Sequence, residues 1–89
     1  MSLGSLHSAA LSLLDVLVCD HGGSWVARKQ VDQVLQMQER TAYRGWMRLH
    51  DFRLVELRPS KYRPAVRATP LGQRFIAAQY EERRERSAS

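Results

Sequence analysis

From Ser5 to Asp20, Leu6, Ala10, Leu13, Leu14 and Leu17 recur three and four residues apart, the spacing of one helix face, with Ser5 as N-cap and Gly22-Gly23 as a stop. Leu11 and Val18 fall on a second side, giving this first helix apolar surface for two partners. Trp25-Val26 reads as a short extended piece. A second helix follows from Arg28 to Gln36, with Val31, Val34 and Leu35 on one face and Met37 closing it. From Gln38 to Asp51, helical geometry puts Ala42, Gly45, Trp46 and Leu49 on one side. Arg40, Arg44, Met47 and Asp51 lie opposite, flanked by Thr41, Tyr43 and Arg48. This third helix therefore has a dry side and a cationic side. Gly45 weakens its interior by about 1 kcal/mol relative to Ala, which points to close approach by a neighbouring element.

Beyond Asp51 the period changes from that of a helix to that of a strand. Leu54-Val55-Glu56-Leu57-Arg58 alternates apolar and polar and can pair with Ala65-Val66-Arg67-Ala68 across Pro59-Ser60-Lys61-Tyr62-Arg63-Pro64. The two prolines bracket the tip, where they restrict the loop without removing ladder donors. Thr69-Pro70 opens a last helix as N-cap and first helical residue, with Leu71, Phe75 and Ala78 assigned to its buried face. That helix is expected to fray within 81–89, so the folded core spans about 5–80 of one 89-residue domain. The expected fold is α+β and mostly helical: a three-helix core, a two-stranded β-hairpin wing and a C-terminal helix.

This order resembles the winged helix-turn-helix transcriptional regulators, most closely the MarR-type and PadR-type families. The resemblance covers roughly residues 6–78 and is best matched from Val31 to Leu57. There Val31, Leu35 and Met37 fall on the family's apolar positions, and Glu39-Arg40-Thr41-Ala42-Tyr43-Arg44 is similar to its recognition-helix opening. His50-Asp51-Phe52-Arg53-Leu54-Val55 is similar to the segment leaving that helix for the wing, and Ala68-Thr69-Pro70-Leu71-Gly72 to the entry of the final helix. Gln36 and Arg53 stand where the family usually has Gly, which requires tight, left-handed turns without it. The long terminal helices that pair MarR-type proteins are not found. The resemblance implies a DNA-binding regulator.

Charge sharpens this picture. The chain carries +5 overall, yet residues 1–27 carry −2 and residues 68–89 only +1. Residues 28–67 hold ten basic residues against four acidic, so the whole excess falls on the second helix, the third helix and the wing. In a helix-turn-helix, the N-terminal part of the second helix of the motif enters the major groove, where Arg donates to guanine and aromatic or Thr side chains meet the thymine methyl. Arg40, Thr41, Tyr43, Arg44 and Arg48 are the candidate readers. Lys61, Tyr62 and Arg63 at the wing tip suit the minor groove or backbone. Arg28, Lys29 and Gln38, at helix starts, suit phosphates. Double-stranded DNA is thus the expected partner; the alternative is a winged-helix protein-interaction module whose basic surface binds an acidic protein.

Other chemistry finds little support. Trp25 and Trp46 are assigned to the core. Cys19 is a single cysteine in an apolar helix, and His7, His21 and His50 lack paired zinc-ligand spacing, so neither metal nor other cofactor is expected. No carboxylate pair, phosphate loop or nucleophile motif can be traced, which argues against an enzyme. The absence of an internal disulfide and of a basic, signal-like start points to a cytoplasmic protein, and the Ala9–Cys19 stretch is too short to span a membrane. Leu11 and Val18, with Ile76 and Tyr80 on the outer side of the last helix, are a possible homodimer face.

Overall fold

The spacing of small and branched apolar residues is realised as four helices and one small sheet in a computed structural model that describes residues 8–88. Helix α1 spans Ser8–His21 and buries Ala10, Leu13, Leu14 and Leu17. The N-cap expected at Ser5, and Leu6 and His7 with it, lie outside the described residues. Strand β1 (Val26–Ala27) leads directly into α2 (Arg28–Val34). A four-residue corner joins α2 to α3 (Glu39–Asp51), and β2 (Val55–Arg58), β3 (Ala65–Ala68) and α4 (Pro70–Ala88) follow. The order is that of a winged helix-turn-helix.

The hairpin forms in register, with Val55 opposite Ala68, Glu56 opposite Arg67, Leu57 opposite Val66 and Arg58 opposite Ala65. The wing sheet nevertheless has three strands rather than two. β1 pairs antiparallel with β3, Val26 opposite Val66 and Ala27 opposite Ala65, which gives the order β1-β3-β2. Pairing on both edges of β3 leaves its backbone groups satisfied and places Val26, Val55, Val66 and Ala68 over the helical core.

Two helix ends turn without glycine. At the end of α2 the Gln36 N–H donates to Gln33 O and the Met37 N–H to Asp32 O, each at 3.0 Å, with Gln36 at φ 50°. At the end of α3 the Arg53 N–H donates to His50 O at 2.9 Å and the Leu54 N–H to Leu49 O at 3.0 Å, with Arg53 at φ 61°. Both are Schellman closures, in which one left-handed residue lets two N–H groups reach back to orphan carbonyls. As the sequence required, the left-handed position is held by Gln and Arg instead of Gly. The first closure stops α2 at Val34, two residues short of expectation, and leaves Val34 59% exposed rather than on the apolar face.

Close backbone approach sets the other contacts. A Cβ on Gly45 would lie 2.6 Å from Leu13 Cδ1 and 3.4 Å from Ala10 Cα, so α3 seats against α1 through this residue. A Cβ on Gly72 would collide with the Leu54 carbonyl oxygen. Thr69 fixes that junction: its Oγ1 accepts the Gly72 N–H at 3.0 Å and donates to Arg53 O at 2.8 Å. Seating Gly72 inward rotates α4 away from its expected face. Ile76, expected outside, is buried at 3% exposure, whereas Leu71 is 50% exposed and Ala78 is also exposed; Phe75 is half-buried, as assigned. α4 runs to Ala88, with residues 81–85 exposed. No helix among the described residues is long and apolar enough to cross a membrane.

Candidate nucleic-acid interface

Seating one side of α3 against α1 dictates what the other side presents. Ala42, Gly45, Trp46 and Leu49 are buried, so Arg40, Tyr43, Arg44 and Arg48 are exposed and Thr41 and Met47 are half-buried between the two faces. Tyr43, Arg44, Met47, Arg48 and Asp51 line an open groove of about 420 Å³. Among the described residues, Arg40, Arg44 and Arg48 form no ion pair. Their charge is therefore not neutralised within the chain.

Among the described residues, one side-chain hydrogen bond ties down the dry face. Trp46 Nε1 donates to Asp32 Oδ1 at 2.8 Å, joining α3 to α2. Burial holds the Asp32 carboxyl above its ordinary value, against the pull of the Trp46 hydrogen bond and the Arg28 charge. Trp46 is thus a core residue, as expected, with its one donor satisfied.

Arg28 connects the two cationic regions. Its backbone N–H donates to Pro64 O at 3.0 Å, at the base of the wing, and its guanidinium lies 5.6 Å from the centre of the Tyr43 ring on α3. Arg28, Glu39, Arg40 and Tyr43 line a second open recess of about 450 Å³. One residue thereby touches both the root of the wing and the outer face of α3. At the tip, Ser60 Oγ accepts the N–H groups of Tyr62 at 3.3 Å and Arg63 at 3.1 Å, a turn that orders the loop. Lys61, Tyr62 and Arg63 are all exposed, Tyr62 at 81%, and the Lys61 ammonium lies 5.8 Å from the Tyr62 ring centre. Lys29 on α2 and Gln38 before α3 are exposed as well.

Trp25 departs from expectation. It is half-buried rather than in the core, and the guanidinium groups of Arg58 and Arg67 lie 4.2 and 4.8 Å from its ring centre. Arg67 is also paired with Glu56, Nη2 to Oε1 at 2.9 Å. Sequence reasoning missed this cluster. Its signal is the strand period: Glu56 and Arg58 on β2, and Arg67 on β3, occupy alternate positions that cannot point inward when Val55, Leu57 and Val66 do.

The proposed dimer face does not assemble as expected. Ile76 is in the core, and Leu11 and Val18 are half-buried against it. The Tyr80 hydroxyl turns back to α1, donating to Asp15 Oδ1 at 2.7 Å and lying 3.4 Å from Cys19 Sγ; these contacts, Cys19 first, raise its pKa. Cys19 is exposed rather than enclosed by its apolar helix. No group of three or more His, Cys, Asp or Glu side chains that could hold a metal ion occurs among the described residues.

No family model matches the chain, and no curated protein matches its sequence. Solved structures do match its fold. A mutant of MepR from a multidrug-resistant S. aureus clinical isolate superposes with a TM-score of 0.80 at 15% identity, covering 97% of this chain and 65% of that one. The transcriptional repressor BigR from Xylella fastidiosa gives 0.69 at 20% identity, covering 89% of this chain and 76% of that one. A MarR family regulator from Neisseria meningitidis gives 0.70 at 17% identity, covering 94% and 59%. The chain thus spans about two thirds or less of the MepR and Neisseria proteins. These likenesses show the winged-helix fold.

Proposed function

We propose that the chain is a double-stranded DNA-binding domain of a transcriptional regulator, with α3 in the major groove and the wing on the minor groove or backbone. The observation that carries this reading is Arg28, whose backbone holds the wing at Pro64 while its side chain lies over Tyr43. A surface that brings unpaired cations of a helix and of a hairpin to either side of one residue suits a duplex, whose grooves alternate with phosphate ridges. The fold's similarity to a transcriptional repressor and a MarR family regulator agrees with it.

In this reading Arg44, with Arg40 and Arg48, reaches base edges or adjacent phosphates, Thr41 and Tyr43 meet thymine methyls, and Lys61, Tyr62 and Arg63 contact the flanking backbone. Arg28, Lys29 and Gln38 contact phosphates. Titration of a duplex in rising salt tests it, because each neutralised phosphate adds close to one unit to the slope of log affinity against log salt. Arg44→Ala is expected to cost about 1–3 kcal/mol at a preferred site and relax sequence preference, whereas Lys61→Ala weakens all sequences alike. Salt-insensitive binding, or none, would sink the reading. Pairing of two copies would use Leu11, Val18 and Tyr80 without Ile76, and sedimentation showing only the 10.3 kDa species would remove it.

A further inference from the structure

The outer face of the wing sheet holds a cation that none of the roles above employs. Arg58 is the last residue of β2, immediately before the Pro59–Pro64 tip, and its side chain is exposed. Its guanidinium sits 4.2 Å from the Trp25 ring centre and has no carboxylate partner among the described residues. Arg67, stacked on the same indole at 4.8 Å, differs in one respect: Glu56 takes its charge through both Nε, at 3.0 Å, and Nη2, at 2.9 Å. Two arginines thus share one aromatic platform, one neutralised and one not.

We infer that Arg58 is a preordered phosphate-binding residue of the wing and that Trp25 is its positioning residue. The inference rests on the DNA-binding reading and deepens it. A free arginine loses much rotamer entropy when it engages a phosphate. Stacked on the indole, Arg58 has lost part of that freedom before DNA arrives, while its in-plane N–H donors stay open to an oxyanion. Its place at the root of the wing puts it one residue from the loop that carries Lys61 and Arg63. Arg67 supplies the internal contrast, because a guanidinium already held by Glu56 has little charge left for a phosphate.

The test is the salt dependence of binding to a mixed-sequence duplex, with thermal melts confirming that each variant folds. Arg58→Ala is expected to lower the slope of log affinity against log salt by about one unit, and Arg67→Ala to leave it unchanged. Trp25→Leu removes the platform but no charge, so affinity falls about two- to five-fold with the slope intact. Trp25→Phe keeps an aromatic face and restores most of that loss, which a purely structural role for Trp25 would not produce when both variants melt alike. An unchanged slope for Arg58→Ala, or an equal drop for Arg67→Ala, would overturn the inference while leaving DNA binding in place. A wild-type chain with no salt-dependent duplex binding would overturn both.

Discussion

On the inward side of α3, Ala42, Trp46 and Leu49 have no exposed surface and the backbone approaches α1 at Gly45. On the outward side of the same thirteen residues, Arg40, Tyr43, Arg44 and Arg48 face solvent without an ion pair among the described residues. The first side is specified by shape and holds no charge. The second is specified by charge and makes few contacts. On the proposed DNA-binding reading, stability and partner choice are therefore written on different residues of one helix, and substitutions should move one without the other.

The sharpest separation is expected at Trp46. Trp46→Ala empties a fully buried site and leaves Asp32 without its donor, so a loss of about 3–5 kcal/mol is expected in chemical denaturation. For a domain this small, such a loss threatens folding altogether. A variant that melts within a few degrees of wild type would show that the inward face is not the seat of stability.

The corner between α2 and α3 sets how the two sides are oriented. Gln36 holds a left-handed backbone at φ 50°, a conformation costing a residue with Cβ roughly 1–2 kcal/mol that Gly largely escapes. Gln36→Gly should accordingly stabilise by up to about 1 kcal/mol after the added flexibility of the unfolded chain is subtracted. Duplex binding should be unchanged. A destabilised variant would mean that the exposed Gln36 side chain contributes more than its backbone strain removes.

On the outward side, Arg44→Ala should change stability by no more than about 0.5 kcal/mol, since the residue is exposed and unpaired. On the proposed reading its effect falls on binding alone. Equal losses in melting and in affinity would erase the distinction between the two sides of α3.

The division also explains which features the amino-acid pattern reveals. Period and turn chemistry were enough for all four helices, the β2–β3 hairpin, the Thr69 cap and the dry side of α3, because each depends on neighbours within a few residues. The two left-handed corners were expected only from the family resemblance, at positions where Gly is usual. The features that were misplaced depend on contacts distant in sequence. Trp25 reads as core by size, but its place is decided by Arg58 and Arg67 on strands more than thirty residues away. Ile76 and Leu71 exchange roles because Gly72 must meet Leu54, an approach that no local period encodes. β1 reads as a short extended piece at Trp25-Val26, but two residues have no period that shows their partner, and only pairing with β3 makes it the third strand of the sheet. Among the candidate contacts, the cations of α3 and the wing were legible from their density. That Arg28 joins the two was not, since it follows from the Pro64 carbonyl and the Tyr43 ring together.

The smallest effect probes the Asp32–Trp46 tie into the dry side. Because burial disfavours its charge, Asp32 binds its proton more tightly in the folded chain than in the unfolded one. Between the ordinary value of 3.8 and the raised one, the folded state then holds more protons, so this residue's contribution to stability falls as pH rises through that interval. Asp32→Asn keeps an oxygen to accept the Trp46 N–H and removes the charge. The variant should match wild type below pH 3.8 and become slightly more stable than it above the raised value, by a fraction of a kcal/mol because Asp32 is only half-buried and screened by solvent. Denaturation of the two proteins at paired pH values isolates this residue from the other carboxylates. If wild type instead gains on the variant as pH rises, attraction of Asp32 to Arg28 and Lys29 outweighs its desolvation, and the dry side of α3 is held by charge as well as by shape.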